Sequence, residues 1–406
     1  MPDDTTRTAP APASLPRDSG VLPGRPRPEG PLICAPAEIF DTETIFARID
    51  EMGTGKPDPQ ALRNGVVEIL RDATTTGRAA IETAFAADPF AARPLTRSYT
   101  YLTDGLIAAT FHAATTYLHP LPNPTATERM AVVAVGGYGR GEMAPFSDVD
   151  LLFLTPYKIT AWAESVIESM LYMLWDLKLK VGHASRTIKD CIRLGREDFT
   201  IRTTFLEHRF LTGDTDLAGE LADKLHSDLF SGGSRDFIEA KLEERAKRHQ
   251  RQGARYMVEP NVKEGKGGLR DLQSLFWIAK YLHGVQNAAE LVPLGVFRPE
   301  EFESFAAAES FLWAVRSHLH LLAGRPNEKL TFDMQVEVAE RMGYVDRAGR
   351  RGVELFMQDY FRHATAVGDL TRIFLTALES EQQKDAPLLL RLFKRGPQVK
   401  DGYEVV

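Results

Sequence analysis

Apolar residues recur at three- and four-residue spacing within 61–70 and 103–118, which predicts amphipathic helices in a largely helical region from 37 to 120. Pro120, Pro122 and Pro124 then punctuate the chain as a loop. The short, valine-containing apolar run 130–135 reads as a buried strand, and 149–154 reads as a second strand across a glycine-rich turn. Helical periodicity returns over 161–177. The runs 179–185 and 204–211 are strand candidates, separated by a helix over 188–194. Beyond about 215 the pattern is almost wholly helical, with segments at 216–230, 235–253, 271–283, 301–323, 333–342 and 352–378. No repeat of fixed period is present. Residues 402–406 are of β type without a following turn or partner, which reads as the first strand of something that continues elsewhere.

These elements predict an α+β protein. A helical region over 33–125 precedes a small mixed-sheet α/β domain over 126–214 and a mainly helical domain over 215–385, and 386–406 begins a further domain. Residues 1–32 hold eight of the 24 prolines and few aromatic or β-branched residues, which predicts a disordered tail. The alternative for the tail is a docking arm built on Arg7, Arg17, Arg25 and Arg27.

A length of 406 residues allows two or three folding units with sizeable cores. The net charge of -7 argues against broad binding to nucleic acid. No apolar run approaches the roughly 20 residues that a membrane-spanning helix needs. Two cysteines are too few for a disulfide framework or a cysteine-built zinc site, and they fit a reducing cytoplasm. The N-terminus lacks a basic-then-apolar leader, so secretion is not expected.

Candidate chemistry concentrates in V-A-V-G-G-Y-G-R-G-E-M-A-P-F-S-D-V-D-L-L-F-L, residues 133–154. A strand enters Gly136-Gly137, where backbone N–H groups can approach an anion closely and a helix starting near Gly137 would turn its positive end toward a phosphate. Eleven residues after Gly137 comes Asp148, and then Asp150. Side chains alternate along a strand, so both aspartates project to one side while Val149 and Leu151 enter the core. Two neighbouring carboxylates repel unless a cation sits between them, and an oxygen-only pair suits Mg²⁺. A phosphate cradle opposite such a clamp is what nucleotidyl transfer from a nucleoside triphosphate needs.

Around this centre, Arg140 is a candidate triphosphate contact and Glu142 a contact for base or partner, or the two form a loop ion pair. Ser147 either donates to a phosphate or shapes the turn. In V-E-P-N-V-K-E-G-K-G-G-L-R-D-L-Q, residues 258–273, Lys263, Lys266, Gly267, Gly268 and Arg270 form a candidate nucleotide-binding loop, with Asp271 a possible helix cap. His318 and His320, two apart on a helix, face different directions and form no metal set.

Gly136-Gly137 followed by Asp148-x-Asp150 resembles the signature of the DNA polymerase β-like nucleotidyltransferases. The longer string through Leu152 is similar to the bacterial PII uridylyltransferases, the bifunctional uridylyltransferase/uridylyl-removing family, as are residues 258–273, H-L-L-A-G-R at 320–325 and L-T-F-D-M-Q at 330–335. The resemblance runs from about residue 90 onward. It implies UTP as donor, a tyrosine of the PII nitrogen-regulatory protein as acceptor, pyrophosphate as product and two Mg²⁺ ions. It also implies a third carboxylate on a later strand, for which Glu207, sharing a strand face with Phe205, fits the place as ligand or base. The alternative for Glu207 is a surface pair with Arg209. Another acceptor for the same chemistry, or a nucleotide-sensing module without turnover, are the other readings. No histidine is followed by aspartate, so the HD motif of uridylyl removal is absent from these residues, and the family's HD and ACT domains would follow residue 406.

Overall fold

The computed structural model describes residues 30–55, 57–123, 125–252, 257–385, 399–400 and 403–404. The proline-rich tail therefore lies almost wholly outside the described residues. Leu32 already packs on the core, and the Ile33 amide donates to Ser98 Oγ at 2.9 Å.

Four helices open the fold: α1 Pro36–Ile39, α2 Thr42–Thr54, α3 Pro59–Ala87 and α4 Ala92–Ala113, the last running on into a π-helical turn at Ala114–Leu118. Asp41 and Asp58 start α2 and α3 by accepting from amides of their first turns. Strand β1, Ala131–Ala134, leads through the single helical turn α5, Gly136–Gly139, and a loop into β2, Val149–Thr155. Helix α6, Ala161–Asp176, crosses over to β3, Val181–Thr187, which pairs parallel to β2. Helices α7, Ile188–Glu197, and α8, Phe199–Leu206, precede β4, Arg209–Gly213. The sheet order is β3-β2-β1-β4, with β1 antiparallel to both neighbours, so the sheet is mixed as expected.

Alternation along β2 divides the cores. Val149, Leu151 and Phe153 join the N-terminal helices and α6 in one cluster, while Leu152 and Leu154 face α7 and helix α9, Thr215–Leu225. Each fully buried side chain of this size contributes about 1.5–3 kcal/mol, so a sheet covered on both faces is a rigid base for whatever sits at its ends. The helices of 33–125 share one core with the sheet, and α9 packs on the sheet as well. A separate core unites α10, Ser234–Gln252, α11, Leu269–His283, α12, Pro299–Ala323, α13, Phe332–Arg341, and α14, Gly352–Asp385, around residues such as Leu272, Leu312 and Phe356.

Two expectations are corrected. The strand expected over 204–211 is the end of α8 followed by β4. Asp198 caps α8 through the amides of Thr200 and Ile201, and the hydroxyls of Thr203 and Thr204 donate back to the carbonyls of Phe199 and Thr200. Threonines that favour strands by propensity are thus accommodated in a helix. The β-type residues at the end of the chain do find a partner, since β5, Val399–Lys400, pairs antiparallel with β6, Tyr403–Glu404. The rest of the expected further domain, 386–398, 401–402 and 405–406, lies outside the described residues. Among the described residues no helix is long and apolar enough to cross a membrane.

Candidate active site

A cleft of about 450 Å³ separates the sheet from the helical domain. Its sheet wall carries Gly136, Gly137, Arg140, Ser147, Asp148 and Asp150. The turn between β1 and β2 places them there. Gly136 takes a left-handed φ of +59°, α5 lasts only four residues, and the chain returns to β2 at the aspartates. A single turn carries little helix dipole, so the anticipated helix start contributes backbone amides rather than a macrodipole.

Asp148 stands just ahead of β2, half exposed, with Lys180 Nζ 3.0 Å from its Oδ1. Asp150 is the second residue of β2 and is half-buried. Burial and the neighbouring Asp148 carboxylate push its pKa up, while Lys263 and Lys180 oppose the rise. Opposite Asp150 in the parallel register is Gly182. A Cβ there would lie 2.6 Å from Asp150 Oδ1, so this glycine makes room for the carboxylate. Sequence reasoning missed Gly182, because its role exists only once the β2–β3 register is known.

Arg140 and Glu142 do form the loop ion pair, Nε to Oε2 at 3.2 Å. Arg140 makes a second, tighter pair, Nη1 to Glu207 Oε2 at 2.5 Å. Glu207 caps the C-terminus of α8, with only 1% of its side chain exposed. It stands neither on a strand nor on the surface, and it pairs with Arg140 rather than with Arg209. Arg209 instead pairs with Asp104 of α4 at 2.8 Å. The close seat of Glu207 depends on Gly139, where an added Cβ would fall 1.7 Å from the Glu207 carbonyl oxygen. Ser147 Oγ accepts from the Ala144 amide at 3.0 Å, which shapes the turn, and the residue also lines the cleft.

The helical wall brings Lys263 and Arg270 to the cleft, but Lys266, Gly267 and Gly268 do not line it. Gly267 lies against the Ala364 backbone of α14 and donates its amide to Asp271 Oδ2 at 2.9 Å. Gly268 is the N-cap of α11 and packs on the carbonyls of Val262 and Lys263. Asp271, within the first turn of α11 rather than at its cap, also binds Arg248 at 2.5 Å and His249 at 2.8 Å, which ties α11 to α10. Burial holds the Lys263 ammonium pKa down; its nearest carboxylate partner is Glu328, 4.0 Å away. Arg316, one helical turn before His320 on α12, is held bidentately by Glu328, and all three line the cleft. His318 points away, its Nε2 donating to the Pro89 carbonyl at 3.0 Å while its ring stacks on Phe85. The two histidines diverge as their spacing requires. Arg316, Glu328, Trp277 and Trp313 were not anticipated, and only His320 stood in a motif that could have pointed to them.

Among the described residues no group of three or more His, Cys, Asp or Glu is placed to share a metal ion. Asp148 and Asp150 stand side by side on the cleft wall, whereas Glu207 is paired with Arg140. Two carboxylates suit Mg²⁺, which keeps several waters and takes further oxygens from phosphates. Burial and, second to it, the Asp148 charge raise the Asp150 pKa, and a divalent cation between the two carboxylates would oppose both.

Comparison with known proteins agrees with this division. A family model described as nucleotidyltransferase domain matches residues 126–209, and one described as GlnD PII-uridylyltransferase matches 236–375. Bifunctional uridylyltransferase/uridylyl-removing enzymes are 68% identical over 368 residues in Ruegeria pomeroyi and 59% identical over 380 in Cereibacter sphaeroides. Another, from Rhodospirillum rubrum, is 47% identical over 378 residues. These alignments cover 91%, 92% and 92% of this chain but only 40%, 41% and 40% of the relatives. The first family region falls on the sheet wall of the cleft and the second on the helical wall, and the chain accordingly belongs to the nucleotidyltransferase portion of the bifunctional uridylyltransferase/uridylyl-removing family.

Proposed function

We propose that this chain transfers a uridylyl group from UTP to a tyrosine hydroxyl of the PII nitrogen-regulatory protein, with Mg²⁺ held by Asp148 and Asp150. The observation that carries the reading is the juxtaposition of this like-charged pair with a glycine turn and with Arg140, Lys263, Arg270 and Arg316, each beside a glutamate, in one cleft. In the reaction the tyrosine hydroxyl gives up its proton to solvent as its oxygen bonds to the α-phosphorus. The bond to the bridging oxygen of the β-phosphate breaks, and its electron pair leaves on pyrophosphate. Bound Mg²⁺ supplies charge stabilisation at the α-phosphate and leaving group.

The chain's own groups orient the parts. Gly136 and Gly137 admit the phosphates, while Arg140, Lys263 and Arg270 offer donors to the triphosphate from the two walls. Holding hydroxyl and α-phosphate in line removes much of the entropic barrier. Uridine as the base and PII as the acceptor are taken from the names of the relatives and of the family model, and a cytoplasmic setting from the presence of only two cysteines. The test is incubation of the chain with Mg²⁺, purified PII and α-labelled UTP, CTP or ATP. Label transferred to PII from UTP, with pyrophosphate released, is expected. Pyrophosphate release without labelled PII would move the acceptor to another molecule, and nucleotide binding without pyrophosphate would reject transfer.

A further inference from the structure

The third carboxylate of the expected metal site is engaged elsewhere. Glu207 Oε2 accepts from Arg140 Nη1 at 2.5 Å, and Glu142 Oε2 accepts from Arg140 Nε at 3.2 Å. A guanidinium is planar, so anchors at Nε and Nη1, on two different edges, fix the orientation of the whole fork. The remaining terminal nitrogen is Nη2. An ideal Cβ on Gly137 would lie 3.7 Å from it, so Nη2 faces the glycine turn, and among the described residues it makes no hydrogen bond. The group that orients Arg140 is itself locked. Glu207 is almost completely enclosed, and its backbone is wedged against Gly139.

The charges around Arg140 nearly cancel. Arg140 and Lys280 of α11, which interacts electrostatically with both Arg140 and Glu207, offset Glu207 and Glu142. Behind Glu142 stand a further pair, Arg93 of α4 and Glu309 of α12, which are themselves ion-paired. The cluster itself is thus close to neutral, and Nη2 offers a phosphate a donor whose charge partly offsets the Asp148 and Asp150 carboxylates across the glycine turn.

We propose that Glu207 is a positioning residue that presents Arg140 Nη2 to the triphosphate, and not a third metal ligand. The inference deepens the nucleotidyl-transfer reading and rests on it only for the identity of the anion. One feature favours a ligand role: Glu207 Oε1 is buried without a partner. The experiment therefore measures metal and anion separately, and without turnover. Tripolyphosphate binding is measured by calorimetry in the absence of metal, and Mn²⁺ binding by electron paramagnetic resonance. The proteins are the wild type, Glu207→Gln, Arg140→Lys and their double variant.

Glu207→Gln and Arg140→Lys should each weaken tripolyphosphate about tenfold, the scale of one charge-assisted contact. The double variant should be no more than about twofold worse than Arg140→Lys alone, since both substitutions remove one interaction. Mn²⁺ affinity should change less than about twofold. A tenfold loss of Mn²⁺ affinity in Glu207→Gln with tripolyphosphate binding intact would overturn the proposal, as would additive losses in the double variant. If Glu207→Gln does not fold, Glu142→Gln decides. Weakened tripolyphosphate binding supports the proposal and unchanged binding overturns it. Because neither PII nor transfer enters these measurements, failure of the transfer reading would show separately, in the labelling assay.

Discussion

Asp150 and Asp271 stand on the two sides of this molecule among charged neighbours, and they are held in opposite ways. Asp271 is 1% exposed and fully compensated, by Arg245, Arg248 and His249 of α10 and by the Gly267 amide. These partners outweigh burial and hold its carboxyl down at about 2. Asp150 has Asp148 beside it and a carboxyl pushed up by burial and by that neighbour. Its lysine neighbours moderate the effect without cancelling it. Where opposite charges are matched inside one domain, the result is a staple between helices. Where like charges face a cleft, the folded protein carries a cost that Lys180 and Lys263 offset only in part and that a bound cation would lower further.

Replacing the like-charged pair in the cleft should produce the largest effect. Asp148→Asn with Asp150→Asn should cut PII labelling by at least about 10³-fold, on the order of 4 kcal/mol, while leaving the melting temperature unchanged or raised. Retained labelling by the folded double variant would erase the contrast. The compensated carboxylate should behave in reverse. Asp271→Ala strands Arg248 and His249 and should cost about 3 kcal/mol of stability in urea unfolding.

Acid gives a second reading of the same residue. Because the folded-state pKa of Asp271 lies below its ordinary 3.8, its contribution is complete above about pH 4 and is lost as pH falls toward 2. The loss is about 2 kcal/mol, and wild type and Asp271→Asn should converge in stability over that window. The smallest effect sharpens the geometry. Gly182→Ala pushes on Asp150 Oδ1 and should lower transfer about 30-fold, because a displacement of the order of 1 Å at a reacting centre is costly. Its stability should fall by less than about 1 kcal/mol; an unaffected rate would show that Asp150 has room to move.

Much of this contrast is legible in the chain alone, and the misses have particular causes. The Asp148–Asp150 pair was readable because strand alternation is local, and Val149 and Leu151 do enter the core as that alternation demands. The helices from α9 to α14 followed from apolar spacing. Glu207 was misplaced because Thr203, Phe205 and Leu206 have strand-forming or apolar character, whereas the Asp198 cap and the threonine back-bonds favour a helix. Lys266, Gly267 and Gly268 looked like a substrate loop by composition, yet Gly267 and Gly268 are packing positions and Lys266 stays outside the cleft.

The sequence by itself determined the α+β class, the chemistry of the aspartate pair and the glycine turn that faces it. These depend on neighbours a few residues apart, whose relative directions follow from backbone period. Tertiary structure alone decided that Glu207 serves Arg140, that Gly182 clears space for Asp150, and that Arg316, His320 and Glu328 complete the far wall. Those relations join residues tens of positions apart. A side chain's charge and size are written in the chain, but its partner is set by which helices and strands pack together.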